Sequence, residues 1–132
     1  MVSFDRLALE GNSPIYIQII QYVRRGIVAG QIQDRDEMPS RRMLSALLGV
    51  NPNTVQKAFR LREEEGIIES RTGAKSYVSV DAEQVVRIRA QLLAGDARAV
   101  IGAMKQMGAS KEEALAELER LWDEPPEHGS EE

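Results

Sequence analysis

At 132 residues, with 42% hydrophobic and 29% charged side chains, the chain fits one ordinary domain or a small domain with an appendage, and a disordered or fibrous protein is excluded. Zero cysteines remove disulfides, thiolate metal sites and cysteine nucleophiles together. No apolar run approaches the ~18 residues of a membrane span, and Asp5 and Glu10 stand where a signal peptide is apolar, so a cytoplasmic location without membrane contact is expected. The net charge of -4 divides unevenly: residues 1–80 hold eleven Lys/Arg and nine Asp/Glu, whereas residues 81–132 hold six and twelve.

Residues 1–12 read as an arm. Ser13 followed by Pro14 predicts a helix start, with Ser13 as the cap and Pro14 at the first position, where no N–H is needed. Ile15, Ile19, Ile20, Val23 and Ile27 recur at helical spacing until Gly30 supplies a stop. Polar residues 31–37 predict a short strand or turn. Ser40 caps a second helix carrying Met43, Leu44, Leu47 and Leu48, which ends at Gly49.

The third helix has the clearest start: Asn51 as cap, Pro52 at the first position, and Val50 with Val55 spaced for a hydrophobic staple. It runs to Glu65, and Gly66 closes it. Ile67–Arg71 and Ser76–Val80, joined by Thr72-Gly73-Ala74-Lys75, predict a β-hairpin. From Asp81 onward the pattern is helical. Val85, Ile88, Leu92, Leu93, Ala97, Val100, Ile101, Met104 and Met107 hold one stripe across Gly95, which suits one long helix at least as well as two. Ser110-Lys111-Glu112-Glu113 is a capping box opening a last helix with Leu115, Leu118, Leu121 and Trp122, and Pro125-Pro126 ends it.

The fold class that follows is mainly α with a small β-hairpin. A winged helix-turn-helix DNA-binding domain occupies 1–80, a helical dimerisation region 81–124, and a disordered tail 125–132. Asn53, Gln56, Lys57 and Arg60 stand at i, i+3, i+4 and i+7 on the third helix, opposite Val55, Ala58, Phe59 and Leu61. Asn and Gln suit adenine edges, and Lys and Arg suit guanine. A polar stripe alone is the ordinary solvated face of an amphipathic helix. Here, however, residues 38–62 hold five basic side chains (Arg41, Arg42, Lys57, Arg60, Arg62) and no acid, and Arg71 and Lys75 flank Gly73 in the hairpin. Glu63, Glu64 and Glu65 suit a helix end that points away from DNA.

Four blocks carry a family resemblance: Pro14-Ile15-Tyr16-Ile17-Gln18-Ile19, Met38-Pro39-Ser40-Arg41-Arg42-Met43-Leu44, Gly49-Val50-Asn51-Pro52-Asn53-Thr54-Val55, and Gly66-Ile67-Ile68-Glu69-Ser70-Arg71-Thr72-Gly73. In this order and spacing, covering 14–80, the chain resembles the GntR family of bacterial transcription regulators. Its short helical remainder resembles the YtrA-like subfamily, in which two helices mediate dimerisation. The resemblance implies DNA contacts from Ser40, Arg41 and Arg42, from Asn51, Asn53, Thr54, Gln56 and Lys57, and from Arg71 and Gly73. Two positions depart from the family pattern. Lys75 stands where a second wing glycine is usual, and the turn before Met38 reads Asp34-Arg35-Asp36-Glu37 where Pro-Gly is usual.

The expected partners are double-stranded operator DNA and a second copy of the chain joined through the C-terminal helices. A small-molecule effector is open. A winged helix used as a protein-interaction module is the alternative, but it does not require the acid-free basic stripe. No cofactor or metal is expected: His128 is the only histidine, and Met104 and Met107 sit on the apolar stripe. Arg24 and Arg25 fit a solvated face better than a phosphate contact, and Trp122 suits a dimer anchor and a core cap equally. There is no phosphate-binding glycine loop or nucleophile elbow, so an enzyme is not expected.

Overall fold

In the computed structural model, which describes residues 1–71 and 75–125, the elements follow the order α1 (Ile15–Val28), α2 (Arg41–Leu48), α3 (Pro52–Glu65), β1 (Ile68–Ser70), β2 (Ser76–Val78), α4 (Ala82–Gln106) and α5 (Lys111–Leu121). The chain divides into two units, Met1–Leu92 and a second beginning at Leu93. The division falls inside α4, because Ile88 and Leu92 are buried in the core of the first unit. Gly95 does not interrupt α4.

In the first unit, α1 and α2 pack against α3. Ile19 and Val23 of α1, Leu44 of α2, Val55 and Phe59 of α3, and Ile67, Val78 and Ile88 form the deepest part of the core. The periodic residues of α1 and α3 therefore face one another as their spacing predicts. Helix α2 is less regular: Leu44 is buried, but Met43 and Leu47 are exposed.

Two sequence expectations need correction. Ser13 does not cap α1. Pro14 takes the N-cap position with an extended backbone (φ -59°, ψ 142°), and no side chain caps it. Gln18 does the local work instead, donating to the carbonyls of Glu10 and Ser13 at 2.7 and 2.9 Å and accepting from the Glu10 N–H. Nor do residues 1–12 form a free arm. Val2 and Phe4 are buried, the Val2 N–H donates to the Glu37 carbonyl at 2.8 Å, and the Phe4 ring stacks on Tyr22 at 5.0 Å.

Strands β1 and β2 pair antiparallel with Ile68 opposite Val78, Glu69 opposite Tyr77 and Ser70 opposite Ser76. The other edge of β2 is used as well. Glu37 bridges to Tyr77, and the N–H groups of Met38 and Val78 bond across to Ser76 and Asp36 at 2.9 and 2.8 Å. The polar 31–37 stretch thus contributes a single bridge. Within the unusual turn before Met38, Arg35 holds φ 76°, the left-handed region where a side chain costs about 1 kcal/mol relative to glycine.

A polar cluster lies beneath the C-terminal end of α3. Glu65 pairs with Arg62 and with Arg24, the latter at 3.7 Å, and Arg24 also donates to Gln91 of α4. The three charged side chains are only 13–24% exposed. Burial pushes the Arg62 guanidinium below its ordinary pKa, while Glu65 opposes the shift. Arg24 is therefore neither a solvated side chain nor a phosphate ligand in this arrangement.

In the second unit, Ser110 and Glu113 form the expected capping box on α5. No residue of α5 is buried. Leu93, Val100, Ile101, Met104, Leu115 and Leu118 line an apolar groove of about 680 Å³ between α4 and α5. No helix among the described residues is long and apolar enough to cross a membrane.

Replacing Phe4 by Ala empties a core site and is expected to lower stability by about 3–4 kcal/mol in urea unfolding; a dispensable arm would lose almost nothing. Replacing Glu65 by Ala strands two poorly hydrated guanidinium groups and is expected to cost about 3 kcal/mol. Glu64→Ala, at an exposed neighbour, should stay within about 0.5 kcal/mol in the same assay.

Candidate nucleic-acid interface

The helix-turn-helix is built by its caps. Ser40 Oγ accepts from the Met43 N–H at 3.0 Å, and Asn51 Oδ1 accepts from the Asn53 N–H at 2.7 Å, so both helices start at fixed residues. Between them, Gly49 takes φ 68°, which ends α2 and frees the chain to turn. Ser45 Oγ then donates to the Val50 carbonyl at 2.6 Å, pinning the turn to α2. With Pro52 at its first position, α3 leaves this turn with its start exposed.

Burial of Val55, Ala58 and Phe59 turns the opposite face of α3 outward. Asn53, Gln56, Lys57 and Arg60 are all exposed on that face, and Thr54 is half-buried. No ion pair engages Arg60 or Arg42 among the described residues. Lys57 is held by a cation–π contact, its Nζ 4.0 Å from the Tyr16 ring centroid, so α1 steers one cation of the stripe. This arrangement presents two amides and two cations on one helix face, the mixture that reads base edges in a major groove.

The remaining predicted residues are placed differently. Ser40 and Asn51 spend their side-chain oxygens as caps, which leaves only the Asn51 amide N–H groups and the Ser40 O–H to offer a ligand. Arg41 pairs with Glu63 at 3.3 Å and lies over the Phe59 ring at 4.9 Å. Arg71 pairs with Glu69 at 3.3 Å and covers Tyr77 at 5.0 Å, while Lys75 is exposed. Gly73 lies outside the described residues, as do His128 and positions 126–132 of the expected tail.

Charge at this surface differs from a count of residues. Of the five cations between 38 and 62, Arg41 and Arg62 are neutralised by Glu63 and Glu65, leaving Arg42, Lys57 and Arg60. Glu63 and Glu65, at the end of α3, thereby engage arginines from α1, α2 and α3 itself. Tyr16 and Glu63, which hold the candidate side chains Lys57 and Arg41, are not found by residue-by-residue reasoning. Their partners lie far away in sequence, so no local spacing marks them. Among the described residues, no group of three or more His, Asp or Glu side chains could hold a metal ion.

Known proteins with these features agree on one family. Residues 15–78 match the family described as bacterial regulatory proteins, gntR family. The chain is 36% identical over 110 residues to the HTH-type transcriptional repressor YtrA of Bacillus subtilis, covering 83% of this chain and 80% of that protein. It is 31% identical over 106 residues to the HTH-type transcriptional regulator YhcF of the same organism, covering 80% and 88%. Among solved structures, a GntR family transcriptional regulator from Listeria monocytogenes superimposes with a TM-score of 0.73 at 29% identity, over 85% of this chain and 98% of that one. YtrA from Sulfolobus acidocaldarius gives 0.52 at 30% identity, over 90% and 97%. The family consists of transcription regulators rather than enzymes. This chain belongs to the GntR family, in its YtrA-like subfamily, and is a transcriptional regulator that binds DNA through its winged helix-turn-helix.

Proposed function

We propose that this regulator is a cytoplasmic repressor that binds a palindromic operator as a homodimer. The observation that carries the DNA-reading part is the exposed face of the first two and a half turns of α3, where Asn53, Gln56, Lys57 and Arg60 stand side by side with no acid among them, on a helix buried along its other face. In this reading Asn53, Gln56 and Arg60 meet base edges in the major groove. Ser40, Arg41 and Arg42 at the start of α2 meet phosphates, as do Arg71, Gly73 and Lys75 in the wing. Residues 1–80 carry DNA binding and 81–124 carry dimerisation. A repressor role is supported by the name of the Bacillus subtilis relative YtrA.

Dimerisation is supported by what the second unit leaves uncovered. Leu93, Ile101 and Leu115, which line the groove between α4 and α5, are 50–60% exposed, and Trp122 after the end of α5 is 80% exposed. Contiguous apolar surface of this kind marks an interface. A two-fold axis makes that surface its own complement and sets two α3 helices on half-sites roughly 34 Å apart, one turn of DNA. An effector, where the cell supplies one, would act by altering that spacing.

Selection from randomised duplex DNA is expected to enrich a palindrome. Gln56→Ala should relax base preference at one position per half-site and cost about 1–3 kcal/mol on the preferred sequence. Recovery of the same sequence by Gln56→Ala would reject the proposed register of α3. The double substitution Leu115→Asp, Leu118→Asp touches no core residue and is expected to weaken dimerisation by at least about 2 kcal/mol in sedimentation equilibrium. An unchanged dimer would place the interface elsewhere.

A further inference from the structure

One carboxylate joins all three parts of the DNA-binding surface. Glu63, in the last turn of α3, accepts from Arg41 Nη2 at 3.3 Å and from the Ser70 hydroxyl through the same oxygen, Oε2. Arg41 is the first residue of α2, and Ser70 is the last of β1. The Ser70 hydroxyl is in turn 3.5 Å from that of Ser76 on β2, so the link crosses the base of the wing.

Arg41 is poorly saturated where it sits. Its face rests on Phe59, its Nε is buried without a partner, and one N–H of its guanidinium meets Glu63. The pair is neither sunk nor free, with the two side chains 29% and 30% exposed. Of the five N–H donors of a guanidinium, the Nε donor is buried and one Nη donor is on Glu63, which leaves the other Nη donors for a second anion. Resting on the reading that the start of α2 faces the DNA backbone, the second anion is a phosphate.

We propose that Glu63 is a specificity-determining positioning residue, which competes with DNA phosphate for Arg41 and couples the outcome to the wing through Ser70. In the free protein the carboxylate cancels the Arg41 charge, so Arg41 adds little to the general attraction for DNA. A phosphate must approach Arg41 against the field of Glu63, and it does so in register only when α3 is seated on its bases. Non-specific complexes, which rest almost wholly on phosphate contacts, therefore lose more from Glu63 than the specific complex does. The cost of this restraint falls on affinity, and its return is discrimination between sequences.

Full-length Glu63→Gln tests this, because Gln keeps an oxygen for Arg41 and Ser70 while removing the charge. Binding to the selected operator and to a scrambled duplex is measured against salt, with thermal unfolding to confirm the fold. Non-specific affinity should rise about three- to fivefold, the size of an exposed ion pair. The non-specific salt slope should steepen by about one unit, and the operator-to-scrambled ratio should fall. Glu63→Asp keeps the net charge but shortens the reach to Arg41, so it should change the ratio in the same direction. Neither substitution should alter the slope in an Arg41→Ala background. An unchanged slope and ratio in Glu63→Gln, while Arg41→Ala alone flattens the operator salt slope, would overturn the role of Glu63 and leave Arg41 on the backbone. An equal effect with and without Arg41 would also overturn it, by showing a general field. No effect of Arg41→Ala alone on operator binding would remove both the proposal and the placement of α2 on phosphate.

Discussion

Helix α3 has to be gripped by half of its circumference and left bare on the other half, and most of the first unit answers that constraint. Val55, Ala58 and Phe59 are buried against α1 and α2, where each large apolar side chain contributes roughly 1.5–3 kcal/mol. The caps then remove rotation and fraying as alternatives. Asn51, Pro52 and the left-handed glycines at 49 and 66 fix where α3 begins and ends, and so fix which four side chains face outward. A shift of one residue would turn the outward stripe by about 100° and bring Ala58 or Phe59 toward its edge. Core packing and DNA reading are consequently one requirement met by one helix.

The acids at the end of α3 show why local charge has to be read in three dimensions. Three glutamates in the last turn oppose the helix dipole and weaken an isolated helix by a few tenths of a kcal/mol each. In the fold, Glu63 and Glu65 reach Arg41, Arg24 and Arg62, and these pairs outweigh the dipole because the partners are partly withdrawn from water. Glu65 binds α1 and, through Arg24 and Gln91, the first half of α4; Glu63 binds α2 and the hairpin. Buried ion pairs contribute little to stability relative to apolar substitutes, but losing one partner is expensive. Their contribution here is to orientation: each pair forms in one arrangement of helices, and that arrangement displays the stripe.

What was legible in the sequence was what local physics determines. The Ser40 and Asn51 caps, the glycine stops, the Ser110–Glu113 box and the apolar periodicities each report on neighbours within four residues, and the structure realises them. The winged helix-turn-helix class followed from those signals and from four ordered blocks. The misreadings came where a distant partner decided the outcome. Val2 and Phe4 look like an arm until Glu37 and Tyr22 are brought beside them. Ser13 looks like a cap until Gln18 takes over its surroundings. The pairing of Arg41 with Glu63, 22 residues away, is another contact that no local spacing marks. The exposure of Asn53, Gln56, Lys57 and Arg60 was legible because helical spacing alone sets them opposite Val55, Ala58 and Phe59.

The second unit follows from the same burial rule carried past the first core. The apolar stripe of α4 continues at helical spacing beyond Leu92, and Gly95 costs only about 1 kcal/mol against a ladder of hydrogen bonds on either side. Before Leu92 the stripe is buried: Ile88 and Leu92 are 1% and 9% exposed. After it, Leu93 and Ile101 are 60% and 50% exposed, and α5 adds Leu115, Leu118 and Trp122 without burying any of them. Nothing in the periodicity distinguishes these two stretches, because period reports which side of a helix is apolar and not whether a partner covers it. A helix of this length holding an uncovered stripe is stable in water when another apolar surface meets it. The proposed two-fold partner meets that need with surface the chain already has.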